Sequence, residues 1–334
     1  MTEFLFQYGL FFAKAATWVA AIVVVAIVLA NLLHQLRGHS ADHLEIRNLN
    51  RRFRELADSL KHELFTPDEW KKELKAHKAE DKARVKAHKA GAAAARPRVF
   101  VLDFHGDLQA SAVASLREEI NAVLQVARGG DEAVLRLESE GGIVHGYGLA
   151  ASHLRRVRDQ GVKLTVAVDK VAASGGYLMA CVADHILAAP FAVVGSIGVV
   201  GQLPNFNRLL KKHEIDFELH TAGEHKRTLT LFGENTEAGR EKFRETLEDA
   251  HALFKSFIAQ NRPQVDLARV ATGDHWFGTR ALDLKLVDEL KTSDDYLLER
   301  SKDCDLYELR YKRHRGFAER LAGSLAGLRA TLPF

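Results

Sequence analysis

One serine, Ser174, lies in the stretch VAASGGYLMACVADHILAAP (171–190), between small residues and directly ahead of an apolar run. A hydroxyl in a tight glycine-rich turn is a natural nucleophile, but it is weak near neutral pH and needs a base. Candidate bases are His145, His185, His220, His225 and Lys226. Asp169 or Asp184 would complete a Ser-His-Asp triad, which is defined by geometry and not by chain order. Spacing leaves these alternatives open. Three glycine-rich turns, SEGG (139–142), AASGG (172–176) and GSIG (195–198), each follow a strand-like run. Glycine lets backbone approach a ligand closely and frees N–H groups that hold an oxyanion. Taken singly, each is more simply a structural turn.

Strands and helices must present those turns. VFVLDF (99–104), AVLRLES (133–139), KLTVAVD (163–169), DHILAAP (184–190) and DFELHTA (216–222) read as strands. Ile143, Tyr147, Ala150, Leu154 and Val157 recur at helical spacing, and Phe243, Leu247, Leu253, Phe254, Phe257 and Ile258 mark an amphipathic helix over 236–261. Such alternation predicts an α/β domain: a mainly parallel sheet, helices packed outside, and a site at the strand ends. Upstream, Thr66, Pro67 and Glu69 have the form of a capping box with proline at the first helical position, so a charged helix should run from there to about Ala90. GAAAARPR (91–98) then ends it. The organisation predicted is an anchor (1–36), a charged, partly helical linker (37–96), a catalytic domain (97–300) and a basic tail (301–334).

The anchor is read from Ala15 to Leu33, nineteen residues without a charge, close to the roughly 20 that cross a bilayer as a helix. The run is too long for a cleaved leader and has no small-residue cleavage signal after it. Arg37, Arg47, Arg51, Arg52 and Arg54 follow it and only Lys14 precedes, a bias that favours a cytoplasmic body. The Lys-rich stretch after Lys61 is a solvated spacer, or a basic arm near anionic lipid. With 47 basic against 44 acidic residues, composition gives no nucleic-acid footprint. The two cysteines, Cys181 and Cys304, are in no metal-ligand spacing and permit one disulfide. In the tail, Phe317, Leu321, Leu325 and Leu328 form a narrow apolar stripe.

Three motifs in order, a serine in ASGGY, the GSIG loop and a lysine in the turn GEHK (223–226), resemble the signal peptide peptidase A family of serine proteases (peptidase family S49), most closely its membrane-anchored members. The resemblance spans about Val99 to Leu290. It implies a crotonase/Clp-protease-like α/β fold and a Ser-Lys dyad without cofactor or metal. Ser174 would be the nucleophile, Lys226 the general base, and Ser196 the residue that orients the lysine. The backbone N–H groups of Gly141 and Gly175 would form the oxyanion hole, a kind of donor worth roughly 3–4 kcal/mol each. Since free lysine titrates near 10.4, a lysine base at neutral pH must give up about 3 pH units, about 4 kcal/mol, chiefly through burial.

The family further implies a bacterial-type inner-membrane enzyme, single-pass and homo-oligomeric, acting on peptides or unfolded membrane-associated proteins, remnant signal peptides among them. One departure stands out: Glu140 occupies the position where the family commonly has proline before the glycine pair. Facing solvent it costs little; facing inward it opposes the developing alkoxide. ATGDHWFGTRALDLKLVDEL (271–290) resembles the closing segment of the fold, with Trp276 and Phe277 expected in the core. Two alternatives use the same fold: a crotonase-type acyl-CoA enzyme, and a catalytically inactive membrane scaffold.

Overall fold

A computed structural model describes residues 2–36, 42–89 and 96–313. The chain begins with α1 (Thr2–Leu36), β1 (His43–Asn48), α2 (Leu49–Leu64), α3 (Pro67–Lys89), β2 (Arg98–His105), α4 (Val113–Val126) and β3 (Glu132–Glu138). It continues with α5 (Val144–Asp159), β4 (Lys163–Val168), β5 (Val171–Ala173), α6 (Gly175–Ala180), β6 (His185–Ala188), β7 (Val193–Gly195) and α7 (Asn207–Lys212). The last elements are α8 (Glu237–Asn261), α9 (Leu267–Val270), β8 (His275–Phe277), α10 (Gly278–Asp283), β9 (Glu289–Leu290), α11 (Ser293–Arg300) and β10 (Asp305–Lys312). The chain divides into two units: α1 belongs to the first, and Leu44–Tyr311 forms the second.

In the first unit, Gly9–Leu29 is a fully exposed helical stretch of mean hydropathy 2.3, long and apolar enough to cross a membrane. In the second, seven strands form a sheet in the order β1-β10-β2-β3-β4-β6-β9. Each pair from β10 to β9 is parallel. Strand residues alternate between two buried faces, as a sheet covered on both sides requires. Phe100, Leu102, Phe104, Leu135, Leu137 and Val166 join the core with Leu116 and Ile120 of α4 and Tyr147 and Leu154 of α5. Val99, Val101, Val134, Ala167 and Leu187 face the other way, toward Leu49 of α2 and Tyr296 and Leu297 of α11.

The capping box forms as expected: Glu69 accepts from the Thr66 amide at 2.9 Å and hydroxyl at 2.8 Å. Four expectations change. First, the sheet takes in residues on both sides of 97–300. β1 and α2 come from the stretch read as linker and β10 from the stretch read as tail, because β10 completes the sheet beside β2 and gives β1 a partner. Second, 216–222 is not a strand; with no neighbouring strand to pair with, its β-rich composition leaves it as exposed coil. Third, Phe277 is 49% exposed, while Trp276 packs on the core as expected; the alternation along β8 turns one of the pair outward. Fourth, Cys181 and Cys304 are both free and buried, on opposite sides of the sheet, and the permitted disulfide is absent. The run 91–95 and the apolar stripe from Phe317 to Leu328 lie outside the described residues.

Candidate active site

Strand pairing brings the three glycine-rich turns together. A small second sheet, β5-β7-β8, sets Ala173 opposite Gly195 in parallel. The next residues, Ser174 and Ser196, therefore leave adjacent strands side by side. Both have a φ of 51°, a left-handed conformation that costs a side-chain-bearing residue on the order of 1–3 kcal/mol. The fold holds Ser174 in it through its amide, which donates to Gly195 O at 2.7 Å, and its carbonyl, which accepts from Leu178 N at 3.0 Å. The Ser196 amide donates to Asp274 O at 2.7 Å. Ser174 thus sits on a strained strand-to-helix turn at the head of α6, half-buried, its hydroxyl making no cap hydrogen bond. A nucleophilic serine is presented in this way in α/β-hydrolases.

SEGG reaches the same place. Ser139, just past β3, bridges Ala172 of β5. Its amide donates to Val171 O at 2.9 Å, and its carbonyl accepts from Ala173 N at 3.0 Å. Two residues on, Gly141 has a φ of 95°, and a Cβ there would stand 2.7 Å from Gly175 N and 2.8 Å from Ser174 Cβ. Only glycine permits that approach. Ser174, Gly175 and Gly141 form one cluster, with Ser196 on the adjoining turn. A cleft of about 300 Å³ opens beside it, between residues 106–108 and 138–141. Glu140 at its rim is exposed to solvent.

Among the described residues Lys226 shares no hydrogen bond with Ser174. It is exposed in a turn whose amide donates to Gly223 O at 3.1 Å, and its amine makes no hydrogen bond or ion pair among the described residues. The burial that a lysine base requires is therefore missing from a single chain. The physical reason is the surrounding segment: apart from α7, residues 199–235 form no regular structure and pack on little. They expose Val200, Leu203, Phe206, Leu209, Phe217 and Phe232, among others.

None of the candidate histidines hydrogen-bonds Ser174 among the described residues. His185 is at the N-terminal end of β6, away from the strand ends that carry the serine, and bonds Glu289 at 3.0 Å. Asp184 pairs with Arg158 at 2.8 Å and accepts from Leu164 N. Asp169 accepts from the amide and hydroxyl of Ser293. His145, His220 and His225 are exposed, the last two near Glu218 and Glu224 of their own loop.

Two residues at the site were not singled out for chemistry from the sequence. The buried Ser139 hydroxyl bonds the Tyr147 hydroxyl at 2.7 Å and accepts from Gly141 N at 3.1 Å. Tyr147 donates to Asp107 O at 2.8 Å. Helical spacing marks Tyr147 as core, and it is; the available signal was that a buried tyrosine hydroxyl needs a partner. Burial raises its phenol above the ordinary range, so it keeps its proton. Burial also acts to raise the Asp107 carboxyl, but hydrogen bonds from the Ser111 hydroxyl and amide outweigh it and hold that group lower than usual. The nearby Cys181 thiol, pushed up to about 12 by burial, is no competing nucleophile.

A strained serine packed against two glycines is an arrangement that can carry acyl transfer. The family model "Peptidase family S49 N-terminal" matches residues 3–154 and "Peptidase family S49" matches 156–306. A probable protease SohB of Haemophilus influenzae is 47% identical over 322 residues, 93% of this chain and 90% of that protein. One of Buchnera aphidicola from Acyrthosiphon pisum is 58% identical over 230 residues, 69% and 68% of the two chains. Among solved structures, a mutant of the membrane-bound stomatin-specific protease 1510-N with a substrate peptide is 13% identical at a TM-score of 0.44, covering 70% of this chain and all of that one. An enoyl-CoA hydratase/isomerase from Marinobacter aquaeolei is 15% identical at 0.35, covering 65% and 80%. The protein is a serine-type peptidase. It belongs to peptidase family S49.

Proposed function

We propose that this is a membrane-anchored endopeptidase in which Ser174 attacks the peptide carbonyl and Lys226 serves as the base. The observation that carries the reading is the strained Ser174 turn packed against Gly141 and Gly175. The neutral lysine amine takes the hydroxyl proton as Oγ bonds to carbon. The negative oxygen that results accepts from the Gly141 and Gly175 amides. Breaking the C–N bond passes the lysine's proton to the leaving amine, and a water activated by the same base then frees Ser174. Ser196, beside Ser174, orients the amine.

For Lys226 to act, its segment must close over the serine. Its uncovered phenylalanines and leucines support assembly of several copies, in which this segment gains cover and the lysine loses water. A shielded site of that kind admits peptides and unfolded membrane-associated chains, remnant signal peptides included, better than folded proteins. The exposed apolar helix α1 supports single-pass anchoring in a bacterial-type inner membrane, and the arginines after it favour a cytoplasmic body.

The full chain in detergent micelles should cleave a quenched-fluorescent peptide. Ser174→Ala and Lys226→Ala should each lower kcat by at least 10³-fold, a loss typical of a nucleophile or its base. Full activity in Lys226→Ala would remove the dyad and leave Ser174 needing another base.

A further inference from the structure

We propose that Ser139 and Tyr147 are positioning residues of the oxyanion site, a role that rests on the Ser174 reading above. Both are buried, Ser139 to 2% exposure and Tyr147 completely. The direction of every hydrogen bond between them is fixed. Tyr147 has one hydroxyl proton, and it goes to Asp107 O, a carbonyl that cannot donate in return. Ser139 must therefore donate to Tyr147 across their 2.7 Å contact. The lone pairs left on Ser139 Oγ accept from the Gly141 amide at 3.1 Å. A single directed chain results, from Gly141 N–H through Ser139 and Tyr147 to the Asp107 carbonyl, in which each bond polarises the next.

Tyr147 also braces the second amide. A Cβ on Gly175 would stand 2.5 Å from Tyr147 Cγ, so the ring lies flush against the backbone that follows Ser174. A Cβ on Gly106 would fall 2.2 Å from Ser139 Oγ and 2.4 Å from the Tyr147 hydroxyl, so no side chain intrudes on the bond between them. Tyr147 thus touches Gly175 with its ring and reaches Gly141 through its hydroxyl, which ties the two donors to one rigid side chain.

This chain also explains how a buried amide waits without a substrate. At 3.1 Å the bond to Ser139 is at the long end of its range, and an N–H can be shared between two acceptors. A charged oxyanion is a far stronger acceptor than a neutral hydroxyl, so the donor turns to it as charge develops. Ser139 keeps Gly141 satisfied and aimed beforehand, and the benefit is realised in the transition state and not in substrate binding.

Peptide hydrolysis by the full chain in detergent tests this with Ser139→Ala, Tyr147→Phe and the double variant, alongside binding of a peptide boronate that mimics the tetrahedral state. We expect Ser139→Ala to lower kcat about 10- to 100-fold with KM within about 2-fold. Boronate affinity should fall in parallel. Tyr147→Phe keeps the ring against Gly175 and should lose less. The double variant should be no worse than Ser139→Ala alone, because both substitutions cut one chain. Wild-type kcat in Ser139→Ala, additive losses, or a loss that follows a lowered thermal midpoint would each overturn the positioning role while leaving the peptidase reading intact. A folded wild-type chain that cuts no peptide would instead overturn the peptidase reading, and this proposal with it.

Discussion

At the residue scale the site is an exercise in close approach. Gly141 and Gly175 bring two backbone segments within van der Waals contact of Ser174, and neither has room for a Cβ. Gly175→Ala would drive a methyl group into the Tyr147 ring, which is fully buried and cannot step aside. Overpacking of this kind costs about 1–3 kcal/mol, and displacing one oxyanion donor lowers kcat about 10²-fold. Denaturant unfolding together with steady-state kinetics on Gly175→Ala should show both effects. A normal kcat would mean the amide of residue 175 takes no part in the chemistry.

At the element scale, the stretch between the apolar helix and the main domain is structural. Asn50 at the start of α2 donates to Ser301 O at 3.0 Å and Cys304 O at 2.9 Å and accepts from Leu306 N at 2.7 Å, which fixes the entry to β10. Leu49 beside it is buried against Tyr296, Leu297 and Leu306. Asn50→Ala strands three backbone groups and should cost about 2–4 kcal/mol in urea unfolding. By the same reasoning, a chain beginning at Asp42 should unfold cooperatively, whereas one beginning at Pro97 loses β1 and α2 together and unfolds at lower denaturant. α8 is fastened at its far end by Arg262, 3% exposed, whose guanidinium grips Asp288 at 2.7 and 2.8 Å and Lys285 O at 3.0 Å. That clasp also steadies the segment whose Leu286 carbonyl accepts from Tyr177 of α6, the helix that starts at the serine.

At the scale of the whole molecule, stability carries a pH dependence set by Glu119. This α4 carboxyl is 5% exposed; one oxygen accepts from Tyr311 N of β10 and the other has no hydrogen-bond partner among the described residues. Burial, aided by the negative charge of Asp103, raises it from the ordinary 4.5 to about 7, against the opposing pull of the Tyr311 amide and Arg310. Between those values the folded chain holds a proton that the unfolded chain has lost. Its contribution to stability is therefore complete below about pH 4.5 and is lost as pH climbs to about 7. Glu119→Gln keeps the acceptor and removes the titration. Wild type should lose about 1–3 kcal/mol relative to this variant between pH 5 and 8, read from paired urea curves. Parallel curves would show that the carboxyl finds compensation in the folded state.

The sequence alone determined what local pattern and composition can encode. Alternating apolar runs specified β2, β3, β4 and β6, helical spacing specified α5 and α8, and the Thr66–Glu69 box set the start of α3, because each signal is written in a few adjacent residues. The turns carrying Ser174, Ser196 and Gly141 were equally legible, since glycine and small residues mark tight backbone wherever it occurs. Tertiary structure decided the rest. Whether 43–48 is linker or strand depends on β10, about 260 positions away, lying open beside it. The same rule left 216–222 without a partner and therefore coil. The Ser139–Tyr147 chain was invisible for a related reason: a serine in a turn and a tyrosine on a helix become one device only when β3, β5 and α5 pack them together. Lys226 shows that dependence at its strongest. Its motif is plain in the sequence, but burial is a property of the surface that comes to cover it, and a single folded chain leaves it in water.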